Sequence, residues 1–185
     1  MPSSSAKNIQ LAIIAAAGIA VLVADQIAKA FIVATIPHGS VAPKHETFFW
    51  LTHERNFGLV GGAFRGVPWV TYLAPIAAAL VLIYLFRHLN PKSVLQSLAY
   101  GLVAGGATGN LVDRVRLGWV TDFLQVHFYF IPVNFPWKMW PAFNIADSAI
   151  CVGVAILVFG WGRQEEPGKE AVAGATLADD RPRST

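Results

Sequence analysis

The sequence predicts an all-α membrane protein with four transmembrane helices, a small β element and an interfacial loop. Of its 185 residues, 55% are hydrophobic and only 14% are charged, whereas soluble domains are about 25% charged. Residues 8–24, 66–86, 93–112 and 148–162 contain no Asp, Glu, Lys or Arg. A spanning helix needs about 20 mostly apolar residues, so each stretch, alone or with its apolar flank, is long enough to cross a bilayer.

These stretches predict helices near residues 9–35, 67–87, 93–112 and 141–162. The first helix has an alternative interpretation as a cleaved secretory signal, because Lys7 precedes an apolar run and residues 28–30 form an A-x-A cleavage site. The apolar pattern continues to Ile36, which is too long for a cleaved segment. We therefore expect residues 1–163 to form one transmembrane domain, followed by a polar, disordered cytoplasmic tail over residues 164–185.

Several functional classes are disfavoured by composition and motifs. Cys151 is the single cysteine, so a disulfide scaffold is excluded. The net charge is only +3 and the basic residues are scattered, which argues against nucleic-acid binding. His45 and His53 each begin an H-E-x-x-H zinc motif, but Phe49 and Phe57 occupy the fifth positions. We therefore expect neither a metal nor a cofactor.

Polar residues are expected to gather at one end of the bundle. In an up-and-down arrangement, the ends of the first and third helices lie beside the starts of the second and fourth. An ionised side chain at the centre of a membrane helix costs at least about 2.5–3.5 kcal/mol, so polar groups at membrane depth indicate function. The polar residues on this side are Asp25, Asn56, Asn110, Asp113, Arg114, Asp122, Asn144 and Asp147.

Several of these residues also have a purely structural interpretation. Asp25 and Lys29 are spaced i,i+4, in the favourable order for a helical ion pair. Asp113 and Arg114 could form a pair at the end of the third helix. Asp147 lies in the first turns of the fourth helix, where the helix dipole stabilises an anion.

Three further patterns predict local structure. Gly101, Gly105 and Gly109 form overlapping G-x-x-x-G steps, which favour close helix packing. Residues 47–55 alternate and are rich in aromatics, which predicts a short hairpin or small sheet. An aromatic cluster in the second long loop is typical of an interfacial belt: Phe123, Phe128, Tyr129, Phe130, Phe135, Trp137 and Trp140.

Paired carboxylates are the chemistry that remains, since no serine lies in a G-x-S-x-G motif. Asp113, Asp122 and Asp147 could converge, because the second long loop joins the third helix to the fourth. Two carboxylates in contact share a proton, so one can act as base toward water and the other as acid toward a carbonyl. An ion or proton relay through Asp25, Asp113 and Asp147 is an alternative, although the other half of the spans is nearly devoid of polar residues. A non-catalytic membrane scaffold is a further alternative.

Four strings resemble the bacterial lipoprotein signal peptidase family, also called signal peptidase II. They are D-Q-x-x-K from Asp25, G-G-A-T-G-N-L-V-D-R over 105–114, G-W-V-T-D-F over 118–123 and P-A-F-N-I-A-D-S over 141–148. The resemblance covers about residues 8–162. It departs from the family in the first loop, where the usual N-x-G-A-A-F motif is replaced by a longer stretch over residues 56–64.

The resemblance implies an intramembrane aspartic endopeptidase that removes the signal peptide from diacylglyceryl-modified prolipoproteins, cutting N-terminal to the lipidated cysteine. It implies a catalytic pair, Asp122 and Asp147, at the outer leaflet of the bacterial inner membrane, with both termini cytoplasmic. We expect a monomer that contacts membrane lipids, with Arg114 reaching lipid phosphate or backbone carbonyls. The implied supporting and substrate-binding residues are Asp25, Lys29, Asn56, Gly58, Asn110, Asp113, Arg114 and Asn144.

Overall fold

A computed structural model describes residues 4–42, 48–58, 80, 84, 93–128 and 138–161. These residues form helices that pack on one another, with a small antiparallel sheet at one end of them. The elements, in chain order, are α1 (Ser4–Thr35), β1 (Val41–Ala42), β2 (Phe49–Asn56), α2 (Val94–Leu117), β3 (Val120–Val126) and α3 (Ile145–Trp161). The helix predicted near 67–87 lies outside the described residues, except that Leu80 and Tyr84 are helical. The predicted tail over 164–185 also lies outside them.

Helix α1 is long and apolar enough to cross a bilayer. It confirms the helix predicted near 9–35 and begins a few residues earlier, at Ser4. Its burial pattern is the reverse of that of a soluble helix, because Asp25 and Lys29 are buried while Ile27 and Phe31 are exposed. An exposed apolar face with buried polar groups is typical of a helix surrounded by lipid.

Helices α2 and α3 correct two predicted boundaries. Helix α2 runs to Leu117 rather than 112, because the first helix-ending residue is Gly118, whose φ of 83° places it in the left-handed region. Helix α3 begins at Ile145 rather than 141. Phe143 is instead bridged to Leu124 of β3, with backbone hydrogen bonds of 2.7 and 2.9 Å.

Glycines bring the helix backbones into direct contact. A Cβ on Gly105 would overlap the carbonyl oxygen of Gly18 on α1, and one on Gly101 would lie 2.7 Å from the Cβ of Ala17. On the opposite side of α2, a Cβ on Gly106 would overlap the carbonyl oxygen of Ala146 in the first turn of α3. These contacts confirm the close packing predicted from the G-x-x-x-G steps.

Helices α1 and α2 run parallel, because Gly18 meets Gly105 and the later Asp25 meets the later Gly109. Helix α3 is antiparallel to both, because its first turn meets Gly106 while its later residue Gly153 meets the earlier Ala99 of α2.

The sheet has the order β1-β2-β3, and all pairs are antiparallel. Strand β2 confirms the sheet predicted at residues 47–55, but β3 was predicted as part of an interfacial loop. Phe123 on β3 was assigned to the aromatic belt, and that assignment is wrong: it packs in a core with Ile32 and Ile36. Strand β3 lacks an alternating pattern because both of its faces are largely buried.

Polar burial is not confined to one end of the bundle. Gln10, Gln96 and Ser97 are buried near the starts of α1 and α2, at the opposite end from Asp25 and Asp113. The expectation that this half is nearly devoid of polar residues is therefore wrong. Within the described part of the chain, Nε2 of Gln10 is a buried donor with no hydrogen-bond partner.

We predict that Gly105→Ala destabilises the protein by about 1–3 kcal/mol, because the added methyl forces α1 and α2 apart. Thermal unfolding in detergent micelles should show the loss as a lower Tm. Gly18→Ala is the matched control, since its Cβ would meet Gly101 and Gly105 at ordinary contact distances of 3.4–3.9 Å. Equal Tm values for the two variants would contradict this account of the helix packing.

Candidate active site

The polar residues singled out from the sequence form one connected hydrogen-bonded cluster. It lies where the C-terminal ends of α1 and α2 meet the start of α3, with β2 and β3 packed against them. Its members are Asp25, Lys29, Asn56, Gly58, Asn110, Asp113, Arg114, Asp122, Asn144 and Asp147.

Asn144 joins the two candidate catalytic carboxylates. Its side chain is fully buried and donates from Nδ2 to Oδ1 of Asp122 at 2.8 Å. Its backbone N–H donates to Oδ2 of Asp147 at 3.2 Å, while its Oδ1 accepts from the N–H of Asp147 at 2.9 Å. This reciprocal pair is a capping box that starts α3. The residue that caps the helix therefore contacts both acids.

The second oxygen of each carboxylate also accepts a neutral amide donor. Asn56 on β2 donates from Nδ2 to Oδ2 of Asp122 at 2.9 Å. Asn110 on α2 donates from Nδ2 to Oδ1 of Asp147 at 2.7 Å. Neutral donors orient a carboxylate without the strong preference for ionisation that a directly paired cation would impose.

Burial is the main cause of a raised pKa at Asp122, which lies on β3 and is 3% exposed. The neighbouring Asp147 carboxylate raises it further. Hydrogen bonds from Asn56 and Asn144 and the charge of Lys29 act in the opposite direction, and the net pKa of Asp122 is about 7. Asp122 can therefore hold a proton near neutral pH, as a pair of carboxylates sharing one proton requires.

A buried ammonium group lies behind the two acids. The Nζ of Lys29 contacts Oδ2 of Asp25 at 2.8 Å, Oδ2 of Asp113 at 3.0 Å and Oδ1 of Asn110 at 3.1 Å. This confirms the predicted Asp25–Lys29 pair. The alternative pairing of Asp113 with Arg114 is wrong, because Asp113 lies against Lys29 instead. A local sequence pattern could not show this contact, since the two residues lie on different helices.

Arg114 holds the first loop in place. Its Nη2 donates to the carbonyl oxygen of Gly58 at 3.1 Å and its Nη1 to that of Asn110 at 3.3 Å. The N–H of Gly58 in turn donates to Oδ1 of Asn56 at 2.9 Å. Arg114 thus reaches backbone carbonyls, one of its two predicted targets. Residues 59–64 of the longer loop motif lie outside the described residues.

Gln26 was not singled out as a site residue. Its Nε2 donates to Oδ1 of Asp113 at 3.0 Å, with longer contacts of 3.3 Å to the carbonyl oxygen of Gly109 and to Oδ2 of Asp25. The available signal was its position inside the D-Q-x-x-K string, next to Asp25 and one turn from Lys29.

The arrangement is suited to acid–base chemistry on a water molecule. One carboxylate can take a proton from water while its protonated neighbour donates one to a substrate carbonyl. Within the described residues, no group of three or more His, Cys, Asp and Glu side chains is placed to hold a metal ion.

Comparisons with known proteins identify similar sequences and a similar fold. A family model described as signal peptidase (SPase) II matches residues 17–161. The lipoprotein signal peptidase of Syntrophotalea carbinolica is 40% identical over 147 residues, which cover 77% of this chain and 86% of that protein. The lipoprotein signal peptidase of Bacillus subtilis is 36% identical over 137 residues, 74% of this chain and 84% of that protein.

A solved structure described as a bacterial membrane enzyme, obtained by the in meso method at 2.3 Å resolution, has a similar fold. It superposes with a TM-score of 0.66 at 26% sequence identity. The match covers 88% of this chain and 95% of the other.

We predict that ionisation of Asp122 makes the fold less stable as pH rises. The pKa of Asp122 is about 7 in the folded protein and about 4 when unfolded, so the folded state binds more protons between these values. The stabilisation of the fold by protonated Asp122 is present in full below about pH 4 and is lost as the pH rises to about 7. In equilibrium unfolding experiments, the free energy of unfolding of Asp122→Asn should therefore fall less than that of the parental protein between about pH 4 and pH 7. Gln10→Met, a neutral substitution near the start of α1 and far from Asp122, should keep the parental slope, and an identical slope in Asp122→Asn would contradict the prediction.

Proposed function

Because the chain belongs to the signal peptidase II family of aspartic proteases, which remove signal peptides from lipoproteins, we propose that Asp122 and Asp147 are its catalytic pair. The observation that supports this assignment is the contact of Asn144 with both carboxylates. The substrate is a prolipoprotein that already carries diacylglycerol, and the cut lies N-terminal to the lipidated cysteine.

The proposed reaction uses one water and one shared proton. The ionised carboxylate takes a proton from water, whose oxygen attacks the scissile carbonyl carbon, while the protonated carboxylic acid donates its proton to the carbonyl oxygen. The tetrahedral intermediate then breaks its C–N bond: the carboxyl group that took the water proton donates it to the leaving nitrogen, and a hydroxyl of the intermediate gives its proton to the other carboxylate as the C=O bond re-forms. This leaves one carboxyl group protonated and the other ionised, ready for the next cycle.

The remaining site residues have positioning roles in this proposal. Asn56, Asn110 and Asn144 orient the two carboxylates through their amide donors. Arg114 and Gly58 hold the loop that carries Asn56. Asp25, Lys29 and Asp113 anchor the cluster between α1 and α2.

We further propose four spans, with residues 1–163 as the transmembrane domain and both termini in the cytoplasm. Helices α1 and α2 are parallel, so two spanning helices of the same direction require the chain to cross back between them. The apolar stretch predicted near 67–87 is suited to that crossing. The pair would then lie at the outer edge of the bacterial inner membrane, where a lipid-anchored substrate arrives sideways to a monomeric enzyme.

We predict that Asp122→Asn and Asp147→Asn each reduce cleavage of a diacylglyceryl-modified precursor by roughly 10²–10⁴-fold or more, because each removes a proton-transfer group. The assay is single-turnover cleavage by purified protein in lipid, with circular dichroism to show that each variant is folded. Gln10→Met, a buried substitution at the far end of α1, is the control that should retain activity. Full activity in either Asp variant would refute the assignment of the pair.

We predict that the start of α1 lies on the cytoplasmic side of the membrane and the end of β2 on the outer side. In a Cys151→Ala background, Arg55→Cys should react with a membrane-impermeant maleimide in intact spheroplasts. Ser4→Cys should react only after the membrane is permeabilised. The reverse pattern would overturn the proposed orientation without bearing on the catalytic pair.

A further inference from the structure

The backbone just before each proposed catalytic acid is held by another buried carboxylate. The N–H of Thr121, which precedes Asp122, donates to Oδ2 of Asp113 at 3.0 Å. The N–H of Ala146, which precedes Asp147, donates to Oδ1 of Asp25 at 3.0 Å. The start of β3 and the start of α3 are thus anchored in the same way, one residue away from the chemistry.

These two anchoring carboxylates are tied together by side chains from a single turn of α1. Lys29 bridges them from Nζ, at 2.8 Å to Asp25 and 3.0 Å to Asp113. Gln26 bridges them from Nε2, at 3.3 Å to Asp25 and 3.0 Å to Asp113. We call Asp25, Gln26, Lys29 and Asp113 the α1 bracket.

We propose that Gln26 is a positioning residue which, with Lys29, sets the separation between the two backbones that carry Asp122 and Asp147. The proposal rests on these two acids being the catalytic pair. Gln26 touches neither of them, so it would act only through Asp25 and Asp113.

The α1 bracket has little room to shift. A Cβ on Gly109 would lie only 2.8 Å from Oδ2 of Asp25 and 3.5 Å from the Cβ of Ala146. Both Asp25 and Asp113 are almost completely buried. If one bridging donor is lost, any shift of these two carboxylates therefore also moves the backbone N–H groups that they hold, because the buried carboxylates cannot turn to solvent instead.

Separation matters because the repulsion between two carboxylates falls with distance, most steeply where water is excluded. Strong repulsion keeps the two titrations of a pair far apart, and weaker repulsion brings them together. Among the described residues, the charged groups around the pair are Asp25 and Lys29 on α1, Asp113 and Arg114 on α2, and Glu54, which lies opposite Asp122 on β2. Gln26 is neutral, so its replacement by a neutral residue alters geometry without altering this set.

The test is Gln26→Met, which keeps the length of the side chain and removes the bridging donor. The pH profile of kcat for cleavage of a diacylglyceryl-modified precursor should become narrower, with its two limbs closer together. At the optimum, kcat should fall by between about 10-fold and 10²-fold, with KM unchanged. Gln10→Met is the matched control, since Gln10 is a buried glutamine on the same helix whose Nε2 has no partner in the described structure. It should leave both the profile and kcat unchanged.

Gly109→Ala perturbs the same bracket from α2, because the added Cβ would lie 2.8 Å from Oδ2 of Asp25, and it should shift the two limbs of the profile relative to each other. Gly18→Ala, at an ordinary contact distance, is its control. The inference is overturned if the folded Gln26→Met or Gly109→Ala protein keeps the parental limbs and loses only activity or Tm. If Asp122→Asn abolishes activity but Gln26→Met leaves the pH profile unchanged, only the role of the bracket is rejected. If Asp122→Asn is active, the catalytic pair on which the inference rests is rejected.

Discussion

The ammonium group of Lys29 is the contact on which the rest of the site depends. It is almost completely buried between the carboxylates of Asp25 and Asp113, so its removal would take from both buried acids the cation that they contact. Breaking a buried pair in this way costs several kcal/mol. The same carboxylates hold the backbone before Asp122 and before Asp147. These ion pairs therefore connect the stability of the helix bundle with the relative position of the two proposed catalytic acids.

The acids of the site are thereby divided into two layers with different electrostatics. Asp25 and Asp113 contact the ammonium group of Lys29 directly. Asp122 and Asp147 accept from amide groups, and Asp122 retains a proton up to about neutral pH, with its pKa near 7. Lys29 lowers the pKa of Asp122 only as a minor influence. The side chain of Asn110 lies between the two layers: its Oδ1 accepts from the Lys29 ammonium group and its Nδ2 donates to the Asp147 carboxylate.

Much of this arrangement could be predicted from sequence, because strong local patterns carry it. Apolar stretches located α1, α2 and α3, glycine spacing indicated their contacts, and the motif strings identified the family. The contact between Lys29 and Asp113 was missed, since it joins residues that are adjacent only after two helices have packed. Strand β3 was missed for a different reason: a strand buried on both faces has no alternation to detect. The role proposed for Gln26 depends on distances that no spacing rule supplies.

The glycine contacts also limit the path of a lipid-anchored substrate. Helix α2 touches α1 and α3 almost backbone to backbone, so neither seam has room for another helix, which is about 10 Å across with its side chains. A substrate helix therefore cannot pass between α2 and α1 or between α2 and α3. A signal peptide in helical form must reach the site by a route other than these two contacts between the described helices.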